Sequence, residues 1–262
     1  MTRPSRQIRA YYLALYRAWG PQHWWPARTR FEVIVGAYLT QNTAWTNVEK
    51  ALGQLRKAHA LTLAGIRRMP LEELERLIRP AGYFRQKAQR LKYFVDFLDR
   101  RYAGSLARMF AQPTARLREE LLALHGIGPE TADSILLYAG NHPVFVVDAY
   151  TRRILERHRL VSARAKYDEI RELAEHSLAP LTLTPAEQRE AVTASMSQHD
   201  SSSAPGGAPH PPSRMSRARR TRAAQIYNDF HGLIVGVGKH YCFKSHPDCD
   251  RCPLRRYLPR AR

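Results

Sequence analysis

The chain has 262 residues, enough for one large core or two smaller ones, and carries 42 Lys and Arg against 23 Asp and Glu. The resulting formal charge of +19, with a pI near 10.4, favours a polyanionic partner bound in a salt-dependent way, although an arginine-rich composition also follows from a high-GC genome. No run approaches the roughly 18 apolar residues of a membrane span and no signal-peptide core opens the chain, so a cytoplasmic location is expected; three cysteines confined to Cys242–Cys252 exclude a disulfide framework.

In chain order, Ile8, Tyr12, Leu15 and Trp19 make one apolar stripe, which predicts a helix stopped by Gly20-Pro21. His23-Trp24-Trp25-Pro26 sets two large aromatics beside a rigid proline. The segment Phe31–Leu39 is apolar nearly all round, as expected of a buried central helix. It ends at Thr40-Gln41-Asn42-Thr43, and Trp45 opens the next helix. From Val48 to Leu121 short amphipathic helices alternate with polar joints. Lys87, Arg90 and Lys92, after the turn at residues 78–88, read as a solvated face, with phosphate contact as the alternative.

Leu121, Leu122 and Leu124 then close one helix, Gly126 and Gly128 allow a tight turn, and Ala132, Ile135, Leu136 and Ala139 recur at helical spacing. A Gly-x-Gly turn opening onto a helix presents free backbone N–H groups at the positive end of the macrodipole, where a phosphate can bind without its sequence being read. Taken alone the motif reads as an ordinary helical corner. Asp148 is a favoured N-cap for a helix starting at Ala149-Tyr150-Thr151, which Arg152 and Arg153 continue. Tyr167, Ile170, Ala174 and Leu178 predict a further helix. Residues 184–216, rich in Ser, Pro, Gly and Ala, cannot bury enough apolar area to offset their ordering entropy and read as a disordered insert. The insert runs into a basic stretch to Arg222. Ile226, Phe230, Leu233 and Val237 form the last helical stripe, with Lys239 at its end, before Cys242-x6-Cys249-x2-Cys252.

Gly126-Ile127-Gly128-x-x-Thr131-Ala132-Asp133, followed by a short apolar run and Val147-Asp148, resembles the helix-hairpin-helix DNA glycosylase superfamily over roughly residues 5–180 and 222–255. Trp24-Trp25-Pro26 ahead of Leu39-Thr40-Gln41-Asn42-Thr43 is similar to its 3-methyladenine branch, built on an endonuclease III scaffold. The resemblance implies a catalytic aspartate at Asp148, beside the sugar of the extruded nucleotide, and places Glu130 where bifunctional members carry a Schiff-base lysine. A carboxylate cannot form an imine, so the implied enzyme is monofunctional, hydrolysing the glycosidic bond without strand nicking. It also implies a base pocket of Trp24, Trp25, Pro26, Trp45 and Lys239; a polar side chain, Gln41 or Asn42, entering the gap in the duplex; and backbone contacts from Gly126, Gly128, Thr131 and Arg152. Aromatic faces attract the positive charge of an N-alkylated purine, and such a base leaves as a neutral molecule without a general acid. Bland readings stand beside these: core packing for the tryptophans, a cap for Asn42 or Thr43, and a dipole partner for Lys239.

The cysteine loop resembles that of endonuclease III, whose pattern adds a fourth cysteine where this chain has Leu258. A 4Fe–4S cluster on Cys242, Cys249 and Cys252 with a non-cysteine ligand, a zinc site completed by His240 or His246, and a metal-free relic all remain open, cluster or relic being preferred to zinc. The expected architecture is all-α and two-lobed: a helical bundle with the hairpin over residues 22–146, a second lobe of 1–21, 147–183 and 223–262, and a disordered linker at 184–222, with the active site in the cleft. The expected protein is a nucleoid-associated monomer that binds double-stranded DNA and releases a damaged base. The alternatives are an endonuclease III-type glycosylase and lyase acting on oxidised pyrimidines, and a non-catalytic binder of distorted DNA.

Overall fold

The computed structural model describes residues 2–179, 181 and 211–259. Among them there are helices and turns and no strand, the expected all-α class. In chain order the helices are α1 (Arg3–Trp19), α2 (Arg30–Thr40), α3 (Trp45–Lys57), α4 (Leu63–Arg68), α5 (Leu71–Ile78), α6 (Phe84–Tyr102), α7 (Leu106–Phe110), α8 (Thr114–Leu122), α9 (Pro129–Ser134), α10 (Ala149–Arg157), α11 (Tyr167–Leu178) and α12 (Arg222–His240). Side-chain caps start several of them: Thr2, Thr29, Thr62, Ser105, Asp148 and Thr221 each accept an N–H from the first turn, satisfying a donor the helix itself leaves open. The hairpin helix α9 passes directly into a π-helical turn, Ile135–Ala139, so the spacing that predicted one regular helix covers two geometries.

The chain divides into two compact units, residues 27–142 and residues 1–26 with 143–262. In the unit of residues 27–142, α2 is buried along Phe31–Leu39 and packs against α3, α6, α9 and the π turn, as its apolar composition predicts. Glu32, on that buried helix, is held by Arg56 at 2.5 Å and by the backbone N–H of Arg28 at 3.0 Å. In the other unit α1 packs on α11 and α12, and α12 packs on α10 and α11. Phe145 and Phe230 lie 5.6 Å apart in its core.

Two expected boundaries move. Residues 22–26 and 143–146 belong with the terminal unit and not with the bundle. Gln22 N–H donates to Asp229 of α12, the Trp25 carbonyl accepts from Ser213, and Phe145 N–H donates to Glu175 of α11. Of the expected disordered linker, residues 184–210 lie outside the described residues, and residues 211–221 are folded. Met215 and Ser216 are buried there, and Arg220 donates to the carbonyls of Met215, Ser216 and Ala218. This basic stretch is therefore a structural joint leading into α12 through the Thr221 cap.

Candidate active site

Asp148 is the N-cap of α10, its Oδ1 accepting from Thr151 N–H at 2.7 Å, so the capping role read from sequence is real. Its Oδ2 lies 3.6 Å from Nε2 of His231 on α12, a distance of charge pairing and longer than a hydrogen bond. Burial pushes the Asp148 carboxyl up, yet the His231 imidazole and Thr151 together overcome it and hold the group below the ordinary carboxylate value. Asp148 is consequently ionised near neutral pH.

One residue on from His231, Gly232 lets the loop before α2 approach α12. A Cβ there would stand 2.8 Å from Gln22 Cβ and 3.4 Å from Trp24 Cβ. Trp24 is half-buried, lies edge-to-face with Trp25, and carries the Lys239 ammonium 5.7 Å from its ring centre. Trp25 is 7 % exposed and so packs as core, while Pro26 is half-buried. The terminal unit thus gathers Asp148, His231, Trp24 and Lys239 along one helix.

The other unit holds Gln41, Asn42, Trp45, Gly126, Gly128, Glu130 and Thr131. Gly126 is left-handed at φ 81°, and Arg90 lies across it. Gln41 ties the end of α2 to the hairpin: its Nε2 donates to Gly126 O at 3.1 Å and Thr131 Oγ1 at 2.9 Å, and its Oε1 accepts from Arg90 at 2.8 Å. Asn42, next in sequence, is exposed with φ 52°. Gly128 caps α9 in extended conformation with open space at its Cα, and Glu130 sits exposed in the first turn. Trp45, half-buried, is the first residue of α3. Asp133, fully buried, receives both guanidinium arms of Arg118, fastening α8 to α9.

Several cations differ from expectation. Lys87 is 1 % exposed and donates to Leu39 O at 2.9 Å and Ala81 O at 2.8 Å, with its amine lowered to about 8 by burial and by Arg90. Lys92 closes the end of α4 through the carbonyls of Ile66, Arg67 and Met69. With Arg90 on Gln41, none of the three is a solvated face. Each satisfies carbonyl or amide oxygens that helix ends and turns leave without a donor. Arg152 likewise donates to Ala165 O at 2.6 Å.

Cys242, Cys249 and Cys252 line one cavity of about 60 Å³, walled also by His158, Asp248 and Leu258. Arg157 donates to Cys242 Sγ at 3.2 Å. His240 and His246 are exposed and outside that wall, so neither stands with the three cysteines in this structure. The donor set does not fit a cuboidal cluster held by four thiolates: an alkyl side chain stands at the fourth position. Among the described residues no group of three or more His, Cys, Asp or Glu side chains converges as metal ligands.

Sequence reasoning missed His231, Asn228, Asp229 and Gln22. The available signal was polar residues at 228, 229 and 231 interrupting an otherwise apolar helix.

A two-unit, all-α fold with a Gly-x-Gly hairpin and a capping aspartate defines the helix-hairpin-helix class. A model of the HhH-GPD superfamily of base excision DNA repair proteins matches residues 35–180, and the chain belongs to that family. A DNA repair glycosylase, by name, of Methanocaldococcus jannaschii is 38 % identical over 94 % of this chain and 93 % of its own. Endonuclease III of Thermotoga maritima is 24 % identical over 87 % of this chain and 81 % of its own. The solved structure of the H. pylori 3-methyladenine DNA glycosylase bound to 1,N6-ethenoadenine has a TM-score of 0.64 and 28 % identity, covering 90 % of this chain and 97 % of that one.

Proposed function

We propose that this glycosylase hydrolyses the N-glycosidic bond of an N-alkylated purine in double-stranded DNA, and that it is monofunctional. The observation that carries the reading is the Asp148 carboxylate, half-buried, ionised and fixed by the α10 N-terminus and His231. As the glycosidic bond breaks, its electron pair leaves with the base and positive charge grows on the sugar. A fixed anion stabilises that charge without reorganising, and the same carboxylate orients or deprotonates the attacking water. A purine already cationic through alkylation takes those electrons and departs neutral, so one carboxylate suffices.

The pocket chemistry agrees. Trp24 offers an aromatic face, and the Lys239 ammonium lies over it, an arrangement that supports cation binding at this ring. At the hairpin, Glu130 provides no amine to attack the sugar, and Lys87 is buried on two carbonyls. The H. pylori neighbour is an alkylpurine enzyme by name and holds an adenine adduct, which supports the substrate class. Between the two candidate wedges the reading takes Asn42, since Gln41 is engaged in three hydrogen bonds. Gly126 and Gly128 would receive a phosphate at the α9 N-terminus.

Chromatography of the bases released from methylated duplex DNA tests the reading. Wild type is expected to free 3-methyladenine, and Asp148→Asn to free none. Borohydride trapping of a covalent enzyme–DNA adduct would instead establish the endonuclease III-type mechanism. Release by Asp148→Asn at the wild-type rate would remove the aspartate from the chemistry.

A further inference from the structure

Asn228 is a buried polar group that the mechanism above leaves unused. It is 1 % exposed on α12, and among the described residues neither its carboxamide oxygen nor its nitrogen has a hydrogen-bond partner. A carboxamide buried with both ends unmet is costly, by about 1–3 kcal/mol for each group, and native folds rarely keep one without reason.

Its place on the helix supplies a reason. Residues three and four apart share a helical face, so Asn228 lies on the same face as His231 and Gly232. His231 is turned to Asp148 on α10, and Gly232 meets Gln22 and Trp24 on the other side. At 100° per residue Asn228 falls between those two directions, on the strip bounded by the candidate catalytic carboxylate and the candidate stacking ring. Lys239 returns to that strip further along, against Trp24. A second buried donor, Trp24 Nε1, also lacks a partner among the described residues.

Resting on the glycosylase reading, we propose that Asn228 is a specificity-determining residue whose carboxamide pairs with the donor–acceptor edge of the extruded base. The ligand class is a purine presenting an N–H donor beside an unsubstituted ring nitrogen, as 3-methyladenine does at N6 and N1. The carboxamide oxygen accepts from the exocyclic amine while its N–H donates to the ring nitrogen, and both orphan groups of Asn228 are met at once. The stack on Trp24 selects any flat base; the carboxamide selects the edge.

The test compares two probes on wild type, Asn228→Leu and Asn228→Ala: 3-methyladenine release from methylated duplex, and binding of a duplex carrying 1,N6-ethenoadenine, whose bridge occupies both N1 and N6. Both variants are expected to lose about ten- to a hundred-fold in 3-methyladenine release, the discrimination of one good bidentate pair. Both are expected to bind the ethenoadenine duplex within about fivefold of wild type, since the bridge removes the amine donor and closes N1, leaving one ring-nitrogen acceptor in place of the two-point edge. Asn228→Leu is expected to melt no lower than wild type, because it removes two unmet polar groups from the interior. Release by both variants within about threefold of wild type would overturn the assignment. So would a parallel loss of ethenoadenine binding, which would make Asn228 a packing residue. No release by wild type itself would overturn the alkylpurine reading and this assignment together, whereas failure confined to the variants leaves the former standing.

Discussion

Replacing Gly126 with alanine separates what the hairpin does for the fold from what it does for DNA. At φ 81° an alanine pays about 1–2 kcal/mol for the left-handed backbone. Its Cβ would also stand 2.0 Å from Arg90 Nε and 2.5 Å from Arg90 Cδ, so the arginine must leave. That movement breaks the Arg90–Gln41 hydrogen bond and disturbs the Gln41–Gly126 bond beside it, at about 1 kcal/mol each. The sum is about 3–4 kcal/mol, or a fall of about 6–16 °C in melting temperature at about 2–4 °C per kcal/mol for a protein of this size. Gly128 is the internal control: its backbone is extended and nothing lies within 4 Å of an added Cβ. Gly128→Ala is expected to melt within about 2 °C of wild type, from a change under about 0.5 kcal/mol, yet to bind duplex DNA more weakly because the methyl occupies the phosphate approach. Calorimetric melts and a fluorescence titration with duplex DNA at fixed salt measure both effects. A Gly126→Ala variant that melts with wild type would refute the reasoning about Arg90. A Gly128→Ala variant with unchanged affinity would refute the phosphate role.

Three further outcomes follow from buried ionisable groups. Burial raises the Asp229 carboxyl from 3.8 to about 6, so the folded state holds its proton more tightly than the unfolded chain and stability contributed there is lost as pH rises from about 4 through about 6. Asp229→Asn should therefore gain about 2–3 kcal/mol at pH 8 and little at pH 4 in urea melts; equal effects at both pH values would contradict this. His231→Gln removes a group that lowers the Asp148 carboxyl, so the acid limb of the base-release profile should move to higher pH; an unmoved limb would show that the pair is not electrostatically coupled. Lys87→Met strands the carbonyls of Leu39 and Ala81 and is expected to cost about 2–4 kcal/mol in the same melts, whereas a solvated lysine would cost under about 0.5.

Sequence periodicity located the helices well because an apolar face must be buried whichever partner buries it. Phe31–Leu39 and the stripe of Ile226, Phe230, Leu233 and Val237 are where pattern and packing agree. Asp148 was legible as a cap because capping is a local property of two or three residues. The positions that escaped depend on partners far along the chain. Gln22 meets Asp229 across 207 residues, and His231 meets Asp148 across the length of α10, α11 and the stretch that follows. Lys87 escaped for a related reason: exposure is the usual state of lysine, and the two carbonyls that draw it inward come from the end of α2 and the turn before α6. The unit boundary shifted because a proline-flanked loop was assigned to its neighbour in sequence, while Gln22, Ser213 and Glu175 fasten it elsewhere.

The folded joint at residues 211–221 bears on how much length variation this lineage can tolerate. Ser213 Oγ donates to the Trp25 carbonyl at 3.1 Å, and Ser216 closes a turn on Ser213. A deletion that removes Ser213 would cost the segment bearing Trp24 and Trp25 one of its ties, leaving Gln22 on Asp229 as the other. Loss of that serine turn would thus be felt at the stacking face without touching any residue of it.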